Sequence, residues 1–450
     1  MTRPAEPDGE RLRQVAHDYG VHIYAERSRR LFIVIGPDGD CRVEVKDNSG
    51  VSVRRSVADG LVEIATPVSR TDQLIRAARW AGRQAQRLVR GRYLLVNEGP
   101  VADPPTHQPH DIWWPAERLA DLLDQLVRAR RSGDGYELGF IAEVVARSVA
   151  ISTVADSIGK DEDWSRLSCF AKARDGTDLT KTSHIGGWLD GDRADAMVLE
   201  HLVARTSRQA DGLRDAPPTA ATTGPVILEP AAAGTLMHEV VGHLLERDNV
   251  LARRCDPPVD RGSRIGPDLL TVLHDPTLAP QWSGAAVDDE GTPTSPIALV
   301  RAGVVAGHLS DTAHADGRGS SGDGRRSSFD VPVVPRMRTV RVEPGADDDT
   351  ALLDDIGSGV LVKTLRRAIM TPRTGRCVAE IGAAEMIEGG RSRGASRGGV
   401  IACSVTDLLG RIDGVGRDTA VTHDLCDKAG QRLPTSAWSP RIRLGAVAVR

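Results

Sequence analysis

The stretch "GTLMHEVVGHLLERD", Gly234–Asp248, carries a His-Glu pair, His238 and Glu239, and a second histidine, His243. In the zinc-protease pattern H-E-x-x-H the histidines are four apart and share one helical face. Here they are five apart. Five residues of a regular α-helix turn through about 500°, which leaves the two side chains roughly 140° apart. The residues around the motif (Leu236, Met237, Val240, Val241, Leu244, Leu245) are apolar and helix-compatible. They mark a buried helix, in which an unpaired His or Glu would be costly. Gly242, just before the second histidine, lowers helix stability by about 1 kcal/mol and calls for a reason. One widened turn supplies it, because i→i+5 geometry brings residues five apart towards one face, and such bulges collect at functional sites. The spacing therefore predicts a metal site on a locally distorted helix.

Imidazole ligands suit zinc, and a catalytic zinc takes three protein ligands and a water. Glu239, beside a ligand, is placed as general base. The third ligand is open on the residues alone. His274, His308, His314, His423, Glu246, Asp248 and the cysteines (Cys41, Cys169, Cys255, Cys377, Cys403, Cys426) all stand as candidates.

Outward from the motif, "PVILEP" (225–230) reads as a short buried strand feeding the helix, a rigid mounting. Before it, "DAPPTAATTGP" (215–225) has nothing to bury and reads as a domain boundary. The expectation is an α+β protein: an N-terminal α/β domain over 1–215 and a β-rich domain over 216–450 that carries the zinc-motif helix. Residues 30–66 read as short strands with turns at "GPDGD", "DNSG" and "ADG". Helices are predicted from about 71 to 90, from Pro115, and from 192 to 210. The second has an apolar stripe of Leu119, Leu122, Leu123, Leu126 and Val127. Strand alternation returns around 136–157. Residues 270–345 and 376–450 are short apolar runs punctuated by Gly and Asp, a β-rich pattern. The loop "HADGRGSSGDGRRSS" (314–328) is long, and loops of that kind border sites.

Hydrophobic residues make up 40% and charged residues 27% of the 450, ordinary for a globular protein, while aromatics are only 3%, so aliphatic residues must fill the core. A formal charge of −4 argues against a nucleic-acid binder. Arg325-Arg326 and Arg366-Arg367 read as solvated surface, with anion contact as the alternative. The polar start "MTRPAEPDGERLRQ" is no secretory signal, and no run of roughly 18 apolar residues implies a membrane span. Six cysteines without a C-x-x-C are no disulfide framework, which points to reduced thiols and the cytoplasm.

In order along the chain, "GTLMHEVVGHLLERD", "VDDEGTPT" (287–294), "RRSSFDVPVVPRMRTVRVEPG" (325–345) and "CDKAGQRLP" (426–434) resemble the TldD/PmbA metallopeptidases, once called modulators of DNA gyrase. The resemblance covers most of the chain after about residue 225. Before that it rests loosely on "YAERS" and "GVSVRRS". It implies a zinc peptidase that cuts unstructured peptides, with Zn2+ held by His238, His243 and Cys426 and Glu239 as base. It also implies a heterodimer with a sister chain lacking the motif, or failing one a homodimer, enclosing the site in a cavity. This chain keeps the motif and so resembles the TldD-type, catalytic partner. The family has Gly after the ligand cysteine where this chain has Asp427, and Asp tolerates a left-handed backbone better than most residues. His423 is a candidate neighbour of the ligand cysteine. The gyrase connection finds no support in the acidic balance. Two other readings use the same residues: a non-catalytic binding or assembly subunit, and a zinc-dependent amide hydrolase of a small molecule. Substrate length separates the latter from a peptidase.

Overall fold

Two β-sheets, one from each half of the chain, dominate the computed structural model, which describes residues 9–57, 60–66, 75–79, 81, 92–97, 116–129, 132–133, 135–185, 194–252, 259–278, 282–315, 317 and 319–450. The chain is α+β and rich in strand, as its sequence predicts.

The N-terminal sheet comprises β1 (His22–Ile35), β2 (Cys41–Val57), β3 (Gly60–Thr66), β4 (Arg92–Asn97), β5 (Tyr136–Ser152), β6 (Ser157–Ala173) and β7 (Asp178–Ile185). Their order is β4-β3-β2-β1-β5-β6-β7, antiparallel except for β3–β4. Alternation along β1 sorts its two faces. Ile23, Leu31, Ile33 and Ile35 belong to clusters shared with α1 (Gly9–Tyr19), α2 (Ala116–Ala129) and α3 (Ala194–Arg214). Tyr24, on the other face, packs with Phe329 of the C-terminal half.

The predicted turn at "DNSG" is not there: β2 runs straight through 47–50, paired with β1 along its length. Those residues serve contact instead. Asn48 donates to Ser328 Oγ at 2.6 Å, and a side chain at Gly50 would strike the Phe329 ring. On α2, Leu122 and Leu126 are buried, but Val127 is 49% exposed, so the apolar stripe is narrower than its spacing predicted. The predicted helix over 71–90 is described only at 75–79 and 81; the rest of it, Pro115, the side chain of Leu119, and Ala58 and Asp59 of the "ADG" turn lie outside the described residues.

The C-terminal sheet comprises β8 (Thr222–Leu228), β9 (Val272–His274), β10 (Ile297–Arg301), β11 (Val304–Val305), β12 (Thr339–Val342), β13 (Gly359–Thr371), β14 (Arg376–Glu388), β15 (Arg391–Arg397), β16 (Val400–Ser404), β17 (Ile412–Lys428) and β18 (Gln431–Val449). The order β11-β10-β9-β12-β18-β16-β14-β13-β8 closes on itself, because β8 also pairs with β18. Two short helices interrupt the strands, Asp349–Asp354 and Val405–Gly410, started by the side-chain caps Asp348 and Ser404.

The second part of loop 314–328 turns into the protein. Asp323, Arg325 and Arg326 are buried, and Gly324–Arg325 pair with Val334–Pro335. Arg325 and Arg326 are therefore not solvated surface. Arg325 donates to the Met337 and Pro434 carbonyls, and Arg326 pairs with Glu63 of the N-terminal sheet at 2.5 Å.

Candidate metal centre

Strand β8 hands the chain to α4 (Pro230–Met237) at a fixed point. The Glu229 N–H donates to the Val362 carbonyl, the Glu229 carboxylate pairs with Arg441, and Pro230 occupies the first turn, where its missing N–H costs nothing. The six apolar residues flanking the motif are each at most 1% exposed, so the helix is anchored by burial of about 1.5–3 kcal/mol per large side chain.

The next turn, His238–Gly242, is π-helical: the His243 N–H donates to the His238 carbonyl five residues back. A single 3₁₀ turn (His243–Leu245) follows, and Glu246 is extended before α5 (Arg247–Ala252) begins. The widened turn brings the His238 and His243 rings to 5.0 Å between centroids, at 87° to one another. The distortion that the five-residue spacing demanded is present. The role of Gly242 differs from the expectation. Its backbone is ordinary right-handed helix (φ −56°), and a Cβ there would collide with the Met337 thioether. Glycine lets the helix lie close on the segment that carries Met337 and Val340.

Cys426 reaches the helix from the other end of the chain. It lies on β17 two residues before a tight hairpin whose turn residues, Ala429 (φ 53°) and Gly430 (φ 72°), are both left-handed. That is the backbone a two-residue hairpin requires. Asp427 stays within the strand and has no left-handed conformation to tolerate. Cys426 Sγ stands 3.1 Å from His243 Nε2, and the ligand atoms of His238, His243 and Cys426 all lie within 4.8 Å of one another. Glu239 Oε1 is 4.0 Å from His243 Nε2, and its Oε2 accepts the Met370 N–H at 3.3 Å.

Around this trio lies a polar layer that the sequence did not announce. Glu246, fully buried, accepts from His243 Nδ1 at 2.7 Å, from the Met337 N–H at 3.2 Å and from Lys428 Nζ at 2.9 Å. Lys428 also reaches Asp248 at 2.7 Å. The Glu246 carboxylate thus fixes the proton of His243 on Nδ1 and turns Nε2 towards Cys426. Its only trace in the sequence is the E-x-D after the second histidine. Arg336 holds the strand by donating to the Cys426 carbonyl at 2.7 Å.

Charge follows from the packing. Burial alone would raise the Cys426 thiol, but the His243 and His238 imidazoles beside it bring its pKa well below the ordinary value. Burial would lower His243, but Glu246 and Cys426 take it well above. Burial raises Glu239 against the pull of His243 and His238.

These groups open into a cleft of about 640 Å³. One wall is the β13 segment 365–370. Strand β13 pairs with β8 only through Val360–Val362, and the edge beyond runs past the trio. Arg366 and Arg367 are exposed on this wall.

The other ligand candidates lie elsewhere. His423 Nδ1 bonds Ser436 Oγ at 2.8 Å and its ring meets Trp282. His274 is wholly buried and accepts the Arg338 N–H. His314 pairs with Asp311, and His308 with the Val259 carbonyl. Asp248 holds Lys428. Among the described residues the remaining cysteines are Cys41, exposed, Cys169 and Cys377, buried, and Cys403, half-buried, none in the trio; Cys255 lies outside them.

Residues 221–450 match the family described as PmbA/TldA metallopeptidase C-terminal domain. A metalloprotease of Methanothermobacter thermautotrophicus is 28% identical over 250 residues, 55% of this chain, so the chain spans about half the length of that relative (54%). A zinc metalloprotease TldD homolog of Saccharolobus solfataricus is 26% identical over 73% of this chain and 74% of its own. The crystal structure of TldE from Thermococcus kodakarensis superposes over 98% of this chain and 99% of its own with a TM-score of 0.74, at 17% identity, a likeness of fold.

Proposed function

This chain belongs to the PmbA/TldA metallopeptidase family, and from that premise we propose that it is a zinc peptidase acting on extended peptides. The observation that carries the reading is the convergence of His238, His243 and Cys426 within 4.8 Å at the floor of an open cleft, with Glu239 beside them. Two imidazoles and a thiolate are a donor set that suits zinc and leaves a fourth position free. The Saccharolobus relative, a zinc metalloprotease TldD homolog, supports the same metal.

His238, His243 and Cys426 would hold the zinc, which supplies Lewis acidity towards a scissile carbonyl and a water. Glu239 accepts the proton of the attacking water and returns it to the leaving amine. The Met370 N–H steadies its carboxylate for that exchange. Glu246 keeps His243 in the tautomer and orientation that present Nε2.

The edge of β13 beyond Val362, which pairs with no further strand among the described residues, supports the choice of substrate. An extended chain laid along residues 365–369 would pair by main-chain hydrogen bonds, giving affinity with little sequence preference. A folded protein cannot offer that strand, and a small amide cannot use it. The test offers one sequence in folded and unfolded form: cleavage of the unfolded form alone is expected, and equal cleavage of both contradicts the reading. Pairing with a motif-lacking sister chain, or with a second copy, follows from the family resemblance and from the name TldE on the fold neighbour. Light scattering is expected to give a dimer, and a fully active monomer would exclude that pairing.

A further inference from the structure

On the opposite side of the segment that carries Glu246 lies a second, smaller pocket of about 260 Å³. Glu246 turns towards His243, while the next residue, Arg247, lines this pocket. The backbone explains the division: Glu246 is extended and bridges Leu309, and Arg247, whose N–H donates to the Leu309 carbonyl, already opens α5, so the two side chains leave the chain in different directions. Arg261, His308, Ser295, Ser310, Ser320 and Ser321 complete the polar lining among the described residues.

Among the described residues, two of these groups each leave one buried nitrogen without a hydrogen-bond partner. Arg247 Nε is buried without a partner. His308, 4% exposed, donates Nε2–H to the Val259 carbonyl at 2.8 Å and leaves Nδ1 buried without a partner. Arg261 is held at the rim through the Ala306 carbonyl at 2.7 Å. Burial holds the His308 pKa down, with the Val259 carbonyl opposing and Arg247 and Arg261 reinforcing it; exposed Asp260 pulls the other way. A buried guanidinium nitrogen left without an acceptor costs free energy that a ligand oxygen would restore. Two guanidinium groups lining one pocket are the chemistry that recognises tetrahedral oxyanions, and the Ser310 and Ser320 hydroxyls are held in place by bonds within their own loops.

We propose that the pocket formed by Arg247, Arg261, His308, Ser295 and Ser320 binds a small oxyanion of the phosphate or sulfate class. An orphaned Nδ1 beside it accepts the proton of a hydrogen phosphate, which makes phosphate the better ligand of the two. The site is separate from the zinc trio and does not depend on catalysis.

The probe is inorganic phosphate, titrated calorimetrically into the zinc-loaded protein at low ionic strength, with sulfate and acetate in parallel. One phosphate per chain with a Kd of about 1 mM or tighter is expected, weaker sulfate, and no measurable acetate. Arg247→Gln and Arg261→Gln should each weaken phosphate by about tenfold, and Arg366→Gln, in the other cleft, should leave it unchanged. Should Arg247→Gln fail to fold, Arg261→Gln and the anomalous signal of selenate soaked into crystals decide the point, with a peak between Arg247 and His308 expected. Absence of phosphate binding in the wild type, undiminished binding in both variants, or binding that vanishes when the zinc is chelated would overturn the site.

Discussion

Two clusters of buried ionisable side chains invite comparison, one between the halves of the molecule and one at the metal trio. In the first, Arg54 pairs with Glu290, Arg326 with Glu63, and Arg147 and Lys160 with Asp289 at 2.9 and 2.6 Å. The cavity among them is about 10 Å³, too small for a ligand. In the second, two imidazoles, a thiol and a carboxylate crowd together beside a cleft of about 640 Å³. Both clusters are buried and both perturb pKa values. What separates them is closure: the charges between the two sheets answer one another, whereas the trio presents ligand atoms to a space. A perturbed ionisable group marks function only where the surrounding protein leaves it something to bind.

The largest expected effect tests the closed cluster. Asp289→Ala removes the buried carboxylate that Arg147 and Lys160 share and leaves them Glu162, at 3.0 and 2.8 Å, as their remaining acidic partner, and breaking a buried pair costs about 3–5 kcal/mol. Denaturant unfolding should show that loss while zinc content per folded chain stays at the wild-type level. A loss of zinc in the folded variant would mean that the two clusters are not independent. Next comes Glu239→Gln, expected to retain zinc and lower peptide cleavage by about 10² or more. Wild-type turnover by this variant would remove Glu239 from the mechanism.

The opening motif shows how far the sequence reaches. Five-residue spacing with buried apolar flanks demanded a widened turn, because no regular helix puts His238 and His243 together, and the π-turn is there. Gly242 drew attention for the right position and the wrong cause. The reason for it is Met337, ninety-five residues away in sequence, and local pattern does not reach that far. Cys426 entered through the family resemblance, because spacing gives no means of choosing among six cysteines and four histidines. The "DNSG" stretch read as a turn because Asn and Gly favour turns, but here they make room for Ser328 and Phe329. Arg325-Arg326 read as surface because arginine usually is, and their buried partners lie in other elements.

A smaller effect sharpens the account of the helix. Gly242→Ala should cost about 1–3 kcal/mol by overpacking, and Met337→Ala in the same chain should return part of it. Additive losses in the double variant would mean that the two residues do not press on each other. The smallest effect concerns pH. Burial pushes the Asp323 carboxyl up to about 8, against the Ser321 hydroxyl and the nearby Arg338. A carboxyl raised on folding contributes stability that is fully present below its unfolded pKa of about 4 and is lost as pH rises through 8. Asp323→Asn should flatten the decline in stability between about pH 4 and pH 8, and an unchanged decline would exclude Asp323 as its source.

The central claim is that two histidines five apart and a cysteine from the end of the chain hold one zinc. X-ray absorption at the zinc edge of the purified protein tests it most directly. Two imidazole nitrogens and one sulfur at about 2.3 Å are expected around the metal, with the sulfur shell and most of the zinc lost in Cys426→Ser but kept in Cys377→Ser. A first shell of nitrogen and oxygen alone in the wild type would contradict it.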